Sequence, residues 1–155
     1  MKKIIVVLAA LPLLLTGTAC IKETGCQNKT IQSETGAMTA FAAANSINGT
    51  THSTGLIYEI TQAGTGANAL PTSNVKVRYT GKYLDGNAFE TVQVTPAEVR
   101  VDGTIPGWQI ALQLLNEGAK IKVIIPSALA YGCGGKAPIP GNTILYFEIE
   151  LVDIL

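Results

Sequence analysis

The amino-acid sequence predicts an α+β domain in which an antiparallel sheet of about five strands wraps around one short helix, preceded by a short N-terminal helical extension. Several segments alternate apolar and polar residues with a period of two, which is typical of strands with one buried face. Only one well-marked segment repeats apolar residues at helical spacing among these strands. The chain has 155 residues, which is the length of one ordinary domain with limited room for an appended segment.

The N-terminus is typical of a signal peptide, predicted over residues 1–19. Two lysines precede an apolar run, residues 4–15, that is too short for an ordinary membrane span. A small residue before Cys20 favours lipoprotein processing with lipidation of Cys20, although Gly17 stands where lipoproteins usually have leucine. Gly17 and Ala19 also suit ordinary signal peptidase. We expect an exported protein of the bacterial periplasm or cell envelope, lipid-anchored at Cys20 and attached to the membrane only through that lipid.

The chain has three cysteines and one histidine. Lipidation of Cys20 would leave Cys26 and Cys133 to form a disulfide in an oxidising compartment; the alternative is that both stay thiols. These scattered cysteines and the lone His52 lack the spacing of metal ligands, so we expect no metal. The formal net charge is zero and no basic patch interleaved with aromatics is present, which argues against nucleic acid as a partner.

Two short segments separate the lipid anchor from the sheet. Residues 20–33 are polar, and we expect them to form a flexible, lipid-anchored tether. Residues 34–53 are predicted to form a short alanine-rich helix followed by a loop. Ser33 is a suitable N-cap for this helix, and Met38 and Phe41 lie on one of its faces.

The folded domain is predicted over residues 54–155. In its strands the inward positions should be Leu56, Tyr58 and Ile60; Val75, Val77 and Tyr79; Val99 and Val101; Ile121, Val123 and Ile125; and Leu145, Phe147, Ile149 and Leu151. On the last strand, Tyr146 and the two glutamates that follow at alternate positions should face solvent. The internal helix starts at Trp108 and stops at Gly118, a residue typical of helix ends.

Aromatic residues beside glycine or proline recur in a fixed order. The motifs are Tyr79-Thr80-Gly81-Lys82, Asp85-Gly86 followed by Phe89-Glu90, Ile105-Pro106-Gly107-Trp108, Leu129-Ala130-Tyr131-Gly132, and Ile139-Pro140 before Phe147. From residue 55 onward the chain resembles the FKBP-type peptidyl-prolyl cis-trans isomerases, and especially exported bacterial lipoproteins of the macrophage-infectivity-potentiator type. The resemblance implies an FKBP-like fold and prolyl isomerase activity without a cofactor. Those members have a long helical dimerisation arm, which is lacking here, so we expect a monomer.

The resemblance also implies a site. The catalytic residues carried over by position are Tyr79, Phe89, Glu90, Trp108, Tyr131 and Phe147, and the substrate-binding residues are Val99, Thr104, Ile105 and Ile139. Trp108 would form the floor under the proline ring, while the Tyr131 hydroxyl and the Ile105 N–H would donate to substrate carbonyls. The sequence departs from the family at Glu90, where the family has aspartate, and at Ala97, where many members have a cleft phenylalanine. Residues 96–104 are also fewer than in the small cytosolic members.

Elementary chemistry explains why such a site needs no base or nucleophile. Rotation about an X-Pro bond faces a barrier of roughly 18–20 kcal/mol because the bond has partial double-bond character. A dry aromatic cleft disfavours the charge-separated planar form and binds the twisted form selectively. We therefore expect isomerisation of proline-containing unfolded or exported polypeptides, with macrolides of the FK506 or rapamycin kind as further ligands. The alternative is a non-catalytic chaperone or adhesion module that binds proline-containing peptides with the same fold.

Overall fold

The structure is a computed structural model that describes residues 25–155. Its helices and strands, in chain order, are α1 (Ile31–Ala44), β1 (Thr50–Thr51), β2 (Ile57–Gln62), β3 (Thr65–Asn68), β4 (Asn74–Lys82), β5 (Ala88–Arg100), α2 (Pro106–Gln113), β6 (Asn116–Glu117), β7 (Lys120–Ile125) and β8 (Leu145–Ile154). Short 3₁₀ turns follow β5 and β7, at Val101–Gly103 and Ser127–Leu129. Over the described range, no helix is long and apolar enough to cross a membrane. The predicted signal peptide and Cys20 lie outside that range.

The main sheet has six strands in the order β1-β2-β7-β8-β4-β5, and every neighbouring pair is antiparallel. Strand β8 lies at its centre and pairs with both β7 and β4. Strands β3 and β6 form a separate two-stranded sheet. The predicted α+β class is confirmed, with the two-residue strand β1 added to the five expected strands.

The larger hydrophobic core lies between α2 and one face of the sheet, which we call the front face. Helix α2 buries Trp108, Ala111 and Leu112 against inward residues of the central strands, such as Val123 and Phe147. Successive residues of a strand point to opposite faces, so the predicted period of two supplies one side of this core. The helix and the curved sheet together fix the position of Trp108.

A second core lies on the opposite, back face of the sheet, where α1 packs. Met38 and Ala42 of α1 are buried there against Ile57, Ile124 and Tyr146. The prediction that Tyr146 faces solvent is wrong, because α1 covers this part of the back face and leaves the Tyr146 side chain buried. The ring of Phe41 packs on that of Tyr146 with a centroid distance of 5.1 Å.

Helix α1 begins earlier than predicted. It starts at Ile31, not Glu34, and its N-cap is Thr30, whose Oγ1 accepts a hydrogen bond from the Ser33 N–H at 3.2 Å. The prediction of Ser33 as the cap is wrong, since its hydroxyl donates instead to the Thr30 carbonyl. Both residue types are good N-caps, and here the extended backbone of Thr30 decides between them.

The strand before α2 is longer than the short strand predicted around residues 99–101. Strand β5 covers 13 residues, and its pairing with β4 shifts register twice, once at a large bulge and once at Phe89. Val77 of β4 pairs with Ala97, whereas Tyr79 pairs with Val92, so the four residues after Val92 stand opposite a single residue of β4. A bulge of this size breaks the alternation of apolar and polar residues, which hides the first half of the strand in the sequence.

The segment before α1 lies along the loop that joins β7 to β8. Cys26 and Cys133 form a disulfide, with their Cα atoms 5.5 Å apart. The backbone N–H of Cys133 donates to Asn28 Oδ1 at 2.8 Å, and that of Lys29 donates to Asn142 Oδ1 at 3.0 Å. The described part of the segment predicted as a flexible tether is therefore fastened to the domain from Cys26 onward.

Candidate active site

A cleft of about 390 Å³ opens on the front face of the sheet. It is lined by Tyr79, Glu90, Val99, Gly103, Thr104, Ile105, Trp108, Tyr131, Lys136 and Phe147. The lining includes eight of the ten site residues that the sequence predicted. They come from β4, β5, β8, the start of α2 and the loop between β7 and β8, so the fold gathers them from most of the domain.

Trp108 forms the floor of the cleft at the start of α2. Its side chain is 6% exposed, and the rings of Tyr79 and Phe147 meet it edge-on. The ring centroids are 4.9 Å apart for Tyr79 and 5.3 Å for Phe147, with interplanar angles of 90° and 84°. These T-shaped contacts are favourable arrangements of aromatic quadrupoles, and they hold three apolar ring surfaces in fixed orientations.

The Ile-Pro-Gly-Trp motif has a structural reason at each position. Pro106 is the first residue of α2, where its missing N–H and fixed φ suit a helix start. Gly107 lies against the side chain of Ile125, which leaves no room for a Cβ atom. Ile105 has extended backbone just before the helix, and its N–H donates no hydrogen bond within residues 25–155. That N–H can serve a ligand carbonyl in the cleft.

Gly81 allows the aromatic rings beside the cleft to approach the sheet. Phe89 and Phe147 pack edge to face with a centroid distance of 5.6 Å over this glycine. A Cβ atom at position 81 would lie 2.5 Å from the Phe89 ring and 2.7 Å from the Phe147 ring. Only glycine permits this close approach, because real Cβ contacts are longer.

An adjoining cavity of about 240 Å³ shares part of its wall with the cleft. It is lined by Phe89, Glu90, Tyr131, Lys136, Ala137, Pro138 and Ile139. Phe89 and Ile139, which the sequence predicted as walls of the proline site, therefore line this second cavity instead. The shared residues Glu90, Tyr131 and Lys136 form the boundary between the two spaces.

The tyrosine hydroxyls of the cleft are kept protonated. Burial, followed by the hydrogen-bonding carboxylate of Glu90, raises the pKa of Tyr79 above its usual value. Burial also raises the pKa of Tyr131, with a smaller contribution from the same carboxylate. Both effects disfavour the phenolate, so each hydroxyl remains a hydrogen-bond donor throughout the physiological pH range.

Sequence reasoning missed three residues near the cleft. Lys136 lines both cavities, and its Nζ lies 5.6 Å from the centre of the Tyr131 ring. Gly103 completes the cleft lining before α2. Tyr83 packs on Phe89 at 5.1 Å and donates from its hydroxyl to the Pro138 carbonyl at 3.2 Å. The spacing of the aromatic residues Tyr79 and Tyr83 could have indicated Tyr83 from the sequence. The position of Lys136 could not be predicted in this way, because it depends on how its loop folds.

Glu90 and Ala97, the two side chains that depart from the family pattern, differ in whether they line the cavities. Glu90 lines both cavities and so faces any bound ligand. Ala97 lies on β5 opposite Val77 and is partly buried against the larger core. Val99, two residues further along the same strand, does line the cleft. Glu90 is therefore the departure that can affect a ligand directly.

The fold and the cleft together define a class of protein, an α+β domain with an aromatic pocket beside neutral hydrogen-bond donors. A comparison with protein families identifies the family. The model of the FKBP-type peptidyl-prolyl cis-trans isomerases matches residues 66–152, and the chain belongs to this family.

Individual relatives agree with this assignment. The chain is 42% identical to the FKBP-type peptidyl-prolyl cis-trans isomerase FkpA of Escherichia coli over 106 residues, covering 67% of this chain and 39% of FkpA. It is 42% identical over 105 residues to the outer membrane protein MIP of Legionella longbeachae, covering 64% of this chain and 44% of MIP. The chain thus matches less than half the length of either relative.

Solved structures show the same fold. A crystal structure of a peptidyl-prolyl cis-trans isomerase from Pseudomonas syringae superposes with a TM-score of 0.68 at 32% identity, covering 83% of this chain and 98% of that one. The crystal structure of FkpA from Escherichia coli also gives a TM-score of 0.68, at 34% identity, covering 80% of this chain and 62% of that one. The FKBP-like arrangement implied by the sequence is confirmed.

Proposed function

We propose that this protein catalyses cis–trans isomerisation of X-Pro bonds in exported polypeptides and so assists their folding. The observation that carries the proposal is the cleft itself, in which Trp108 forms an apolar floor edged by Tyr79 and Phe147. Neutral donors lie beside that floor, since the pKa of the Tyr131 hydroxyl is raised by burial. Membership of the isomerase family supports the same conclusion.

The mechanism follows from differential binding. The proline ring would rest on Trp108, while the Tyr131 hydroxyl and the Ile105 N–H hold carbonyls on either side of it. The aromatic walls exclude water from the imide, which removes solvent stabilisation of the planar charge-separated form. Because the twisted imide loses that charge separation, the cleft binds it more tightly than the planar ground state and the barrier falls. No proton is transferred and no covalent bond forms.

The alternative is a module that binds proline-containing chains without turnover. Glu90 is the observation that favours it, because this carboxylate is one methylene longer than the family's aspartate and lines both cavities. A longer side chain changes where its charge lies relative to the rotating carbonyl. The cleft would then keep its affinity for proline and lose part of its preference for the twisted imide.

A protease-coupled assay on a short X-Pro peptide separates the two functions. We expect the intact protein to accelerate isomerisation, Trp108→Ala to abolish most of the acceleration by removing the floor, and Tyr131→Phe to reduce it by removing one hydrogen bond. No acceleration by the intact protein above the uncatalysed rate would refute the enzyme. Quenching of Trp108 fluorescence by a macrolide of the FK506 or rapamycin kind would then still support the binding module.

We also propose that the chain is exported, lipidated at Cys20 and monomeric. The apolar N-terminal run and the small residue before Cys20 support the first two statements. A relative named as an outer membrane protein agrees with a location in the cell envelope. Mass spectrometry of the mature N-terminus tests the anchor, since an unmodified Cys20 would refute it. Light scattering after size-exclusion chromatography tests the monomer.

A further inference from the structure

Glu34 is an unusual residue for its position. It lies in the first turn of α1, where acidic residues normally face solvent, yet it is only 3% exposed. Its Oε2 accepts a hydrogen bond at 2.8 Å from the backbone N–H of Ser127, 93 residues further along the chain. Burying a carboxyl group is costly unless it is hydrogen-bonded, so this contact offsets part of the penalty. Within the described residues the other oxygen, Oε1, is buried without a hydrogen-bond partner.

Ser127 is the first residue of the 3₁₀ turn in the loop that carries Tyr131. Its backbone N–H is held by Glu34, and its carbonyl accepts hydrogen bonds from the N–H groups of Ala130 at 3.1 Å and Gly132 at 2.9 Å. Those two residues flank Tyr131 in the sequence. The backbone of one residue, Ser127, therefore links the carboxyl group of α1 to the backbone on both sides of the cleft tyrosine.

The Tyr131 loop has little regular structure of its own. Between β7 and β8 the chain runs through residues 126–144, with one short 3₁₀ turn at its start. Long loops of this kind are mobile unless other elements fix them. The N-terminal segment supplies such fixation on the far side of Tyr131 through the disulfide to Cys133 and the Asn28 side chain. Glu34 supplies it on the near side.

We propose that Glu34 is a positioning residue for Tyr131, acting through the Ser127 peptide. This inference rests on the proposed isomerase function and on the role of the Tyr131 hydroxyl in it. Helix α1 packs on the back face of the sheet and does not line the cleft, so Glu34 has no direct route to a ligand. Its influence on activity passes through the geometry of the loop.

The expected effect of removing Glu34 follows from burial. Ser127 is fully buried, so Glu34→Ala leaves its N–H without an acceptor and the first turn of the loop relaxes. The Tyr131 hydroxyl then leaves the position in which it meets the substrate carbonyl. We expect kcat/KM to fall about three- to tenfold, on the order of one lost hydrogen bond. Glu34→Gln keeps an acceptor oxygen and should restore most of the activity.

A double-mutant cycle tests the proposal in the full chain. Wild type, Glu34→Ala, Tyr131→Phe and the double variant are compared by kcat/KM on an X-Pro peptide. If Glu34 acts through Tyr131, Glu34→Ala lowers kcat/KM in the wild-type background and has no further effect once the hydroxyl is gone. An equal reduction in both backgrounds, or no reduction in either, overturns the proposal.

Phe41→Ala provides the matched control on the same helix. It removes packing between α1 and Tyr146 without touching Ser127, so stability should fall while kcat/KM stays within twofold of wild type at a temperature where all variants are folded. A loss of activity in Phe41→Ala equal to that of Glu34→Ala would mean that α1 acts only through stability, which overturns the proposal. If Glu34→Ala does not fold, Glu34→Asp, with its shorter reach to Ser127, replaces it in the cycle.

The measurements distinguish a protein that is not an isomerase from an isomerase in which Glu34 does not position Tyr131. An inactive wild type refutes the isomerase, and the same four proteins are then compared by the affinity of a proline peptide, read from Trp108 fluorescence. The coupling between Glu34 and Tyr131 is expected in that affinity as well. An active wild type with unaltered Glu34→Ala refutes the positioning role alone.

Discussion

Replacing Gly81 of β4 with alanine should disturb the cleft by displacing two of the aromatic rings beside it. The new Cβ would lie 2.5 Å from the Phe89 ring and 2.7 Å from the Phe147 ring, whereas ordinary contacts begin at 3.4 Å. The Phe89 ring must therefore move by about 0.9 Å and the Phe147 ring by about 0.7 Å. Strand β4 is held between β8 and β5, so the rings move rather than the backbone.

The expected losses of unfolding free energy and of kcat/KM can be estimated from this displacement. Phe147 is 3% exposed and packs against Trp108, so its movement strains the core and shifts the cleft floor. Overpacking of a core typically costs about 1–3 kcal/mol of unfolding free energy. A misplacement on the order of 1 Å in an active site can cost about 100-fold in rate. We expect Gly81→Ala to lose stability in that range and to lower kcat/KM roughly 10- to 100-fold.

Urea unfolding and the protease-coupled assay measure the two effects separately. Gly36→Ala is the matched control, because a Cβ on this glycine of α1 meets nothing within 4 Å. It should stabilise the protein by about 0.5–1 kcal/mol through helix propensity and leave kcat/KM unchanged. If Gly81→Ala unfolds at the wild-type urea concentration and keeps kcat/KM within twofold, the steric reasoning about the aromatic cluster is refuted.

Two further predictions concern stability. Cys26→Ala should lower the free energy of unfolding by roughly 3–5 kcal/mol under non-reducing conditions, since the disulfide closes a loop with a sequence separation of 107; equal urea midpoints for the variant and the oxidised wild type would contradict this. Burial, and after it the hydrogen bond to Glu148, raises the pKa of Tyr146 in the folded state. Above a pH of about 10 the unfolded chain therefore binds fewer protons than the folded chain, and stability falls as pH rises. Tyr146→Phe should make that fall shallower above a pH of about 10, and parallel urea-midpoint curves for the two proteins there would show the reasoning to be wrong.

Local patterns predicted the sheet and the front core. Alternation along β4, β7 and β8 depends only on each strand having one buried face, and the helical spacing after Trp108 depends only on one buried stripe. The order of the aromatic motifs then predicted most of the cleft lining. Residues such as Tyr79 and Phe147 pack in the hydrophobic core and also form a wall of the cleft, so a pattern that predicts the core also predicts the cleft.

Other features depend on contacts between distant segments and left little local signal. Glu34 looks like an ordinary acidic residue of a helix start, and Tyr146 like the outer residue of a strand, until α1 packs on the back face. The two register shifts in β5, one of them at Phe89, remove the period that would have revealed this strand. The assignment of Phe89 and Ile139 to the adjoining cavity follows from the shape of two loops that no periodicity describes.

The disulfide also determines where the chain enters the domain. Cys133 lies between Tyr131 and Lys136, two residues of the cleft lining, so the disulfide fastens Cys26 to the loop that supplies this wall of the cleft. If Cys20 carries the proposed lipid, six residue steps separate it from Cys26, a span of at most about 22 Å. The same disulfide would then hold the loop that carries Tyr131 within a short distance of the membrane surface, so reduction of the disulfide would free that loop from the anchor without releasing the protein.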